Sequence, residues 1–441
     1  MKINTKTYFE EAKKRGLEPF VLSYSTSTET SVSVFNGEVE AQQIGTTQDI
    51  SGKGIFEGKI GSFSTDAIDA DTPSLLTENV LNSAKFGKED KEENFFKGGL
   101  EYKKAETDLP DFKPATLKEI RTFALELCKK VQERDPRISK TDISISMVSA
   151  ESHYENSYGV FCEDSAKTYF GYISVVCEDE TKEPRSGGWS FRSFHSLDDL
   201  AKEAEKVIDL AVHSAVDFFN TKPCKSKKYK AVLAPSCVAS LMPFYMSQLN
   251  AKSVHKHLSV FENKVDEKIM SDCITIEHTP HITSTGSSSY DADGYPTQDF
   301  TLIDNGVLKT YFYSVETANE ENKNSNGCCA GNGNGGYFVL SLKPGTKTQE
   351  ELFETMQEGI YITEISGLNS GINDQTLDFS LPCQGYLIEG GKIVKAVSMI
   401  ICAGNLKELF ESVVDVANDT RSRGGIITPS LFVSSLAISG E

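Results

Sequence analysis

The sequence predicts an α+β protein of two domains: an N-terminal domain of antiparallel hairpins and helices (residues 1–220) and a strand-rich C-terminal domain (residues 221–441). Three observations predict this organisation. The chain of 441 residues is long enough for two or three domains. Hairpin signals and amphipathic stretches are mixed, without the regular strand–helix alternation of a parallel sheet. A short basic stretch, residues 222–230, separates the two halves.

The N-terminal half opens with two hairpin signals followed by a helix. The Asn36–Gly37 pair lies between alternating apolar and polar residues, which is the strongest short signal for a β-hairpin. Glycines punctuate residues 52–66 and predict a second hairpin. Thr72 is the expected N-cap of the following helix, with Pro73 at its first position.

The rest of this half alternates connections, helices and strands. Residues 88–115 are charged and poor in aliphatic side chains, which indicates a long surface connection. Residues 117–135 carry apolar residues at helical spacing. Residues 142–161 and 166–180 are typical of paired strands. A second amphipathic helix follows, with Ser196 as its cap and acidic residues in its first turn.

The C-terminal half is richer in strands. One predicted helix contains Pro243, which limits its length. The predicted elements are a buried strand at 229–235, a packed helix at 237–251, hairpins around Asp304–Gly306 and Glu389–Gly391, and a final strand at 431–439.

Composition narrows the classes of function. The formal net charge is −19, whereas nucleic-acid binders usually present a basic face. The basic stretch 222–230 is interpreted as a solvated linker, so no direct contact with nucleic acid is expected. No apolar run approaches the roughly 18 residues of a membrane helix, and the start of the chain lacks the apolar core of a signal peptide. We therefore expect a cytoplasmic protein without membrane contact, whose ten cysteines are reduced and mostly buried.

Several common catalytic motifs are absent, and one that is present lacks the secondary structure that it requires. Residues 331–336 satisfy G-x-G-x-x-G, but a strand-like stretch follows them where the dinucleotide fingerprint needs a helix. The P-loop, the G-x-S-x-G elbow and the H-E-x-x-H helix do not occur. Four histidines lie close in sequence and could suggest a metal site, although hydrogen-bonded structural histidines are the favoured interpretation. They are His255, His257, His278 and His281.

Residues 291–298, "DADGYPTQ", resemble the D-x-E-G-x-P-T-Q signature of the TldD/PmbA family, long labelled modulators of DNA gyrase. The continuation "LIDNGVL" and the C-terminal block from residue 366 to 410 are similar to further family motifs, and the resemblance spans nearly the whole chain. Three residues depart from the family pattern. Asp293 stands for the usual Glu, Leu377 for a common Gly, and Phe56 for an Arg.

This resemblance implies one of two branches. Catalytic TldD-like chains are metalloproteases with H-E-x-x-x-H on a helix and a late cysteine as the third ligand. By alignment, the metal helix falls at residues 241–249, which contain neither His nor Glu. The late cysteine falls in residues 419–430, which contain no Cys. The resemblance therefore implies the PmbA/TldE-like branch, with no catalytic residue, no metal and no cofactor.

The expected function follows from that branch. The chain would be a non-catalytic subunit that pairs with an H-E-x-x-x-H metalloprotease chain as a heterodimer, or forms a homodimer in isolation, and serves the maturation or breakdown of peptides. Two alternatives stay open. One is a self-sufficient peptidase that uses the histidine cluster or the thiol of Cys328 or Cys329. The other is a regulator linked to DNA gyrase.

Residues 319–337 are the last candidate for a role. They are rich in Asn and Gly, and Ala330 is their only aliphatic residue, so they are expected to bury too little apolar surface to order themselves. They are either a surface loop without a role or a lid at a peptide cavity. Gly331 and Asn332 are peptide-binding candidates because glycine permits close approach of a backbone. Asp291 and Gly294 in the family signature are the other two candidates.

Overall fold

The computed structural model describes residues 3–181 and 183–441. Helices account for 24% and strands for 40% of the chain, so the predicted α+β class is confirmed. The chain forms two compact units. Unit 1 comprises Met1–Leu100 and Glu106–Phe219, and unit 2 comprises Glu101–Ala105 and Asn220–Glu441. Within the described residues, no helix combines the length and apolarity needed to cross a bilayer.

In the described residues, unit 1 contains six strands and four α-helices. The strands are β1 (Phe20–Phe35), β2 (Glu38–Phe56), β3 (Lys59–Thr65), β4 (Ile138–Asn156), β5 (Phe161–Glu178) and β6 (Pro184–Ser193). The helices are α1 (Thr5–Lys14), α2 (Thr72–Lys85), α3 (Leu117–Gln132) and α4 (Leu197–Val216). A 3₁₀ turn lies at Glu92–Asn94.

The six strands form one antiparallel sheet in the order β3-β2-β1-β4-β5-β6. Both predicted hairpins are confirmed. Asn36 and Gly37 connect β1 to β2 with φ of 48° and 86°, and Glu57 and Gly58 connect β2 to β3 with φ of 50° and 75°. Two consecutive positive φ angles are the requirement of a tight hairpin turn, which Asn and Gly meet at low cost.

All four helices cover the same face of this sheet. Phe20 and Leu22, near one end of β1, pack with α1 and α2. Val32 and Val34, near the other end, pack with α3 and α4. These four side chains share one face because they are separated by even numbers of residues along a strand.

The helix starts are set by local hydrogen bonds. Ser196 caps α4 as predicted, because its hydroxyl accepts the N–H of Asp199 at 3.1 Å. The prediction for α2 was wrong by one residue. Thr72 is the first helical residue and Asp71 the cap, while the Asp69 carboxylate accepts the N–H groups of Asp71 and Thr72.

Unit 2 contains fourteen strands and six helices within the described chain. The helices are α5 (Pro235–Ser247), α6 (Ala251–His255), α7 (Val315–Glu320), α8 (Gln349–Met356), α9 (Leu368–Gly371) and α10 (Leu406–Glu411). The strands are β7 (Lys227–Leu233), β8 (Ile276–His278), β9 (Phe300–Asp304), β10 (Val307–Leu308), β11 (Cys329–Gly331), β12 (Asn334–Gly335), β13 (Leu340–Leu342), β14 (Gly359–Ile365), β15 (Asp378–Glu389), β16 (Lys392–Asn405), β17 (Val413–Val416), β18 (Arg421–Arg423), β19 (Ile426–Thr428) and β20 (Leu431–Ser439).

Two six-stranded sheets enclose the core of unit 2. One has the order β16-β15-β14-β7-β20-β17, and a further pairing of β16 with β20 closes five of its strands into a ring. The other has the order β10-β9-β8-β13-β19-β18. The predicted hairpins at Asp304–Gly306 and Glu389–Gly391 are both present. The stretch interpreted as a linker is part strand, because β7 begins at Lys227.

Leu377, which stands where the family commonly has Gly, occupies a position that combines backbone strain with burial. Its φ of 64° lies in the left-handed region, where glycine is normally favoured. The Leu377 side chain is nevertheless fully buried in the core of unit 2. A glycine here would remove the backbone strain, whereas leucine contributes apolar burial.

Candidate functional site

The position that a metal-binding helix would occupy is built from core residues. Residues 241–249 span the end of α5 and the turn after it. Leu241, Met242, Tyr245, Met246 and Leu249 are all buried in the core of unit 2. The polar groups of this stretch are bonded to backbone: the Gln248 side chain bonds Asp374 and Val260, and the Tyr245 hydroxyl donates to Ile269. This stretch therefore offers packing surface and no metal ligand.

The second ligand position lies beside α5. Strands β18 and β19 pack against this helix, so residues 419–430 meet it in space. Asp419 is engaged by Ser430, whose N–H and hydroxyl donate to its carboxylate at 2.8 and 2.7 Å. Arg421 and Arg423 are exposed on β18. A guanidinium is permanently cationic and donates only, so it repels a metal ion. The residues at both positions do not fit zinc.

The four histidines are dispersed among separate partners. His257 bonds Glu262, His278 bonds the backbone of Gln298 and Phe338, and His281 bonds Asp299 and Thr297. Burial lowers the pKa of His278 to about 4, so its ring is neutral. In the described parts of the chain, no three His, Cys, Asp or Glu residues converge so that they could hold a metal ion.

His255 forms a charged cluster of its own at the end of α6. Its Nδ1 bonds Glu320 and its Nε2 bonds Glu321 at 2.6 Å, so each side of the ring faces a carboxylate. Glu321 also receives bonds from Tyr313 and pairs with Lys323. Burial lowers the pKa of His255, but the bonds to Glu321 and Glu320 outweigh it, and the net effect raises the pKa.

We expect this cluster to make stability depend on pH. A histidine whose pKa is raised by folding stabilises the protein fully below about pH 6.5, and this contribution is lost as the pH rises through the folded-state pKa. His255→Gln should therefore lose most stability, relative to wild type, at about pH 6 and least at about pH 9. Urea unfolding at both pH values measures this. His257→Gln, which removes an exposed imidazole, is the control. An effect of His255→Gln that is the same at both pH values would contradict the expectation.

Asp291, the first residue of the family signature, is a structural carboxylate. Its side chain is 1% exposed. Its Oδ1 accepts the N–H groups of Asp293 and Tyr295 at 2.9 and 3.0 Å, and its Oδ2 accepts the N–H of Cys329 at 2.9 Å. Burial and the nearby Asp293 raise the pKa of Asp291, while the three N–H groups act in the opposite direction. The carboxylate thus joins the signature loop to the segment around Cys329.

Hydrogen bonds and an ion pair also fix the other residues of the signature loop and its neighbour Asp299. Asp293 accepts the N–H of Val315 at the start of α7. Gly294 has a φ of 73°, and its carbonyl accepts the Tyr102 hydroxyl at 2.7 Å. Lys103 pairs with Asp299 next to the same loop. Residues 101–105 therefore brace the signature loop, which explains why they belong to unit 2.

The segment 319–337 is more ordered by packing than its composition suggested. Ser325, Gly327, Cys328 and Cys329 are buried, so the expectation of little burial was wrong for its middle. Bonds to the signature loop explain this, because the Ala292 N–H donates to the Cys329 carbonyl and the Cys329 N–H donates to the Asp291 carboxylate. The exposed residues lie at its N-terminal end and in the short β11–β12 hairpin.

Gly331 and Asn332 lie on that hairpin. Gly331 has a φ of 116°, and a Cβ added there would meet no atom within 4 Å. Asn332 is exposed, and its backbone carbonyl accepts a hydrogen bond from the Lys252 ammonium at 2.8 Å. Lys252 also pairs with Glu316 at 2.9 Å, which fixes the base of the hairpin. Of the four peptide-binding candidates, Gly331 and Asn332 lie at an accessible surface. Asp291 and Gly294 instead shape the signature loop.

The adjacent thiols are poorly suited to nucleophilic catalysis. Cys328 and Cys329 are buried, and burial raises the pKa of both, with Asp291 adding to the effect. A thiol nucleophile needs the opposite, a lowered pKa and access to substrate. Nine of the ten cysteines are buried and Cys273 is exposed, in agreement with the expectation of mostly buried thiols.

Sequence reasoning missed several residues around the signature loop. Asp293 could have been found, because aspartates two residues apart commonly bond the following backbone in turns. The contacts of Tyr102 and Lys103 could not be predicted from sequence, since their partners are almost 200 residues away and both residues lie in a charged connection. The pairing of His255 with Glu320 and Glu321 also joins distant parts of the chain.

We compared the chain with models of known protein families, and two domains of one family match it. The PmbA/TldA metallopeptidase C-terminal domain matches residues 226–440, and the central domain of the same metallopeptidases matches residues 110–216. Together these matches span most of the chain. The chain belongs to the PmbA/TldD family. It is therefore a metallopeptidase-like protein, and the resemblance of the signature at residues 291–298 is confirmed.

Individual relatives agree with this assignment. An uncharacterised protein of Methanocaldococcus jannaschii is 29% identical, with 95% of this chain and 96% of that protein aligned. Metalloprotease PmbA of Escherichia coli O157:H7 is 22% identical over 100% of this chain and 95% of its own.

Two solved structures share the fold. One from Thermotoga maritima, described as a candidate modulator of a DNA gyrase, has a TM-score of 0.89 at 27% identity over 99% of both chains. TldE from Thermococcus kodakarensis has a TM-score of 0.84 at 19% identity, covers 99% of this chain and 100% of its own, and supports the fold alone.

Proposed function

We propose that this PmbA/TldD-family protein is a non-catalytic subunit of a TldD-type metalloprotease that matures or degrades peptides. The proposal depends on which residues occupy the two positions where a catalytic chain would carry its metal ligands. The end of α5 supplies core side chains, and β18 supplies Arg421 and Arg423. The catalytic metal would then belong to a second, homologous subunit that carries H-E-x-x-x-H.

Within such a complex, this chain contributes binding surface. Proteins that bind extended peptides gain affinity from main-chain hydrogen bonds and need open backbone near the cavity. Gly331 and Asn332 on the β11–β12 hairpin are the proposed peptide-facing residues, because they are open while their base is fixed by Lys252. Asp291 accepts the N–H of Cys329 at the start of this hairpin, and Gly294 shapes the signature loop that carries Asp291. A cytoplasmic location is part of the proposal.

Co-expression with a homologous H-E-x-x-x-H chain from the same cell tests the proposal. We expect the two chains to co-purify and to hydrolyse peptides together. We expect this chain alone to retain less than about one metal ion per ten chains after purification with zinc, because the donor set is missing. Replacing the first histidine of the partner's motif should abolish hydrolysis without separating the subunits. Hydrogen exchange of residues 319–337 should slow when partner and peptide are added.

Two outcomes would contradict the proposal. The first is a chain that never binds an H-E-x-x-x-H homologue at micromolar concentration. The second is peptide hydrolysis by the purified chain alone that a chelator or thiol alkylation abolishes, which would favour a self-sufficient peptidase. The buried Cys328 and Cys329 and the dispersed histidines make the second outcome unexpected.

A further inference from the structure

A cleft in unit 2 is lined by residues of β8 and β9 and by the ends of neighbouring strands. Its volume is about 400 Å³, within the range of sites that bind small molecules. Ile276 on β8 and Leu342 on β13 pack in the core. Glu277 and Lys343, which follow them in the chain, therefore point away from the core and line the cleft. Thr301, opposite Glu277 on β9, lines it as well.

The walls of this cleft are fixed by backbone contacts. The N–H of Lys343 donates to the Thr275 carbonyl at 2.9 Å, and the N–H of Asn305 donates to the Thr275 hydroxyl at 3.1 Å. Elsewhere in the wall, Gly345 lies so close to Val416 that an added Cβ would be 1.9 Å from the Val416 carbonyl oxygen. Because these contacts join backbone to backbone, the shape of the cleft does not depend on a ligand.

The charged groups of the cleft do not neutralise one another. Within the described chain, the side chains of Lys343 and Glu277 form neither an ion pair nor a hydrogen bond. The Asp304 carboxylate accepts a bond from the Asn305 amide at 2.9 Å, and no cation of the described chain pairs with it. One ammonium and two carboxylates therefore face the same cleft and are available to a ligand that carries both signs of charge.

The register of the sheet sets the spacing of the opposite charges. Ser341 pairs with Glu277, so Lys343, two residues further on, is the diagonal neighbour of Glu277 on the same face. The Cα atoms of diagonal neighbours are about 7–8 Å apart. An extended dipeptide spans about 7 Å, whereas a single carbon atom separates the two charged groups of a free amino acid. The spacing therefore matches the two ends of a dipeptide.

We propose that this cleft binds a dipeptide whose ammonium and carboxylate groups are both free. Lys343 binds the carboxylate, and Glu277 and Asp304 bind the ammonium, through charge-assisted hydrogen bonds. The hydroxyls of Thr275 and Thr301 are at hand for the peptide group between the two ends. Dipeptides are among the products of peptide breakdown, but binding requires this chain alone. Failure of this inference is therefore distinguishable from failure of the proposed function.

The Cys273 thiol lines the same cleft and can report its occupancy. Cys273 is exposed and the other nine cysteines are buried, so iodoacetamide should alkylate Cys273 first in the folded chain. Ala-Ala at about 20 mM should slow this reaction about tenfold or more, as expected for a Kd of about 1 mM. Acetyl-Ala-Ala and Ala-Ala-amide each lack one charge and should leave the rate close to that of the free protein. Mass spectrometry measures the rate.

Substitutions test the two ends of the site separately. Lys343→Gln and Glu277→Gln change exposed residues, and each should weaken Ala-Ala binding about tenfold or more in isothermal titration calorimetry, because a bond to a charged group is lost. Lys347→Gln is the matched control, since Lys347 pairs with Asp415 at 2.7 Å outside the cleft. It should bind Ala-Ala like wild type.

Three results would overturn the proposal. The first is alkylation of Cys273 that Ala-Ala does not slow. The second is equal protection by Ala-Ala and by both blocked peptides, which would show that the charged ends are not recognised. The third is wild-type affinity in both Lys343→Gln and Glu277→Gln.

Discussion

Asp291→Ala is expected to lower the free energy of unfolding by about 3 kcal/mol or more, because it leaves three buried N–H groups without an acceptor and each costs about 1–3 kcal/mol. The donors belong to Asp293, Tyr295 and Cys329. The Cys329 donor is 38 residues away along the chain, so the substitution should also loosen the segment that carries the β11–β12 hairpin. Urea unfolding followed by circular dichroism measures the change.

Asp272→Ala is the matched control. Asp272 is 76% exposed and pairs with Lys268 on the surface. Exposed ion pairs of this kind contribute about 0–1 kcal/mol, so Asp272→Ala should unfold close to wild type. If Asp291→Ala were no less stable than Asp272→Ala, the carboxylate would not hold the loop. Its place in the family signature would then need a direct role in peptide binding.

Gly327→Ala is expected to cost about 3 kcal/mol, the sum of overpacking and left-handed strain. Gly327 has a φ of 67°, and a Cβ there would lie 2.2 Å from the carbonyl oxygen of Pro296 and 2.6 Å from the Cα of Thr297. Both obstacles are backbone atoms of the signature loop, so relief requires moving the loop itself. The expected result is a large loss in the urea midpoint.

Gly331→Ala separates the two causes of that loss. Gly331 lies four residues further on and also has a positive φ, but its added Cβ would meet no atom within 4 Å. Only the torsional strain of about 1 kcal/mol then remains. Equal destabilisation by the two substitutions would show that close packing on Pro296 and Thr297 does not constrain the segment.

The local features of the fold could be predicted from consecutive residues. The Asn36–Gly37 turn and the Ser196 cap are examples, and both occur as expected. A turn depends on the φ angles that two residues can adopt, and a cap on a hydroxyl three residues from its donor. The one-residue error at Thr72 arose because its hydroxyl bonds Asp69, which precedes the helix, and accepts no N–H of the first helical turn.

The candidate site could be predicted only in part. The signature "DADGYPTQ" located the loop, and the composition of residues 241–249 and 419–430 showed that His, Glu and Cys are missing there. The Asn- and Gly-rich composition of residues 319–337 wrongly predicted little burial around Cys328 and Cys329. These thiols are buried by the signature loop, which lies more than 30 residues away in sequence.

The sequence by itself determined the family, the α+β class, the hairpin turns and the lack of His, Glu and Cys at two positions. Each of these depends on residue identity or on short-range torsional and hydrogen-bonding preferences. Only the tertiary structure decided that Asp291 is a buried acceptor, that Tyr102 braces Gly294, and that Glu277 and Lys343 line one cleft. Burial and strand pairing join residues that are distant in the chain, and they depend on how all elements pack together.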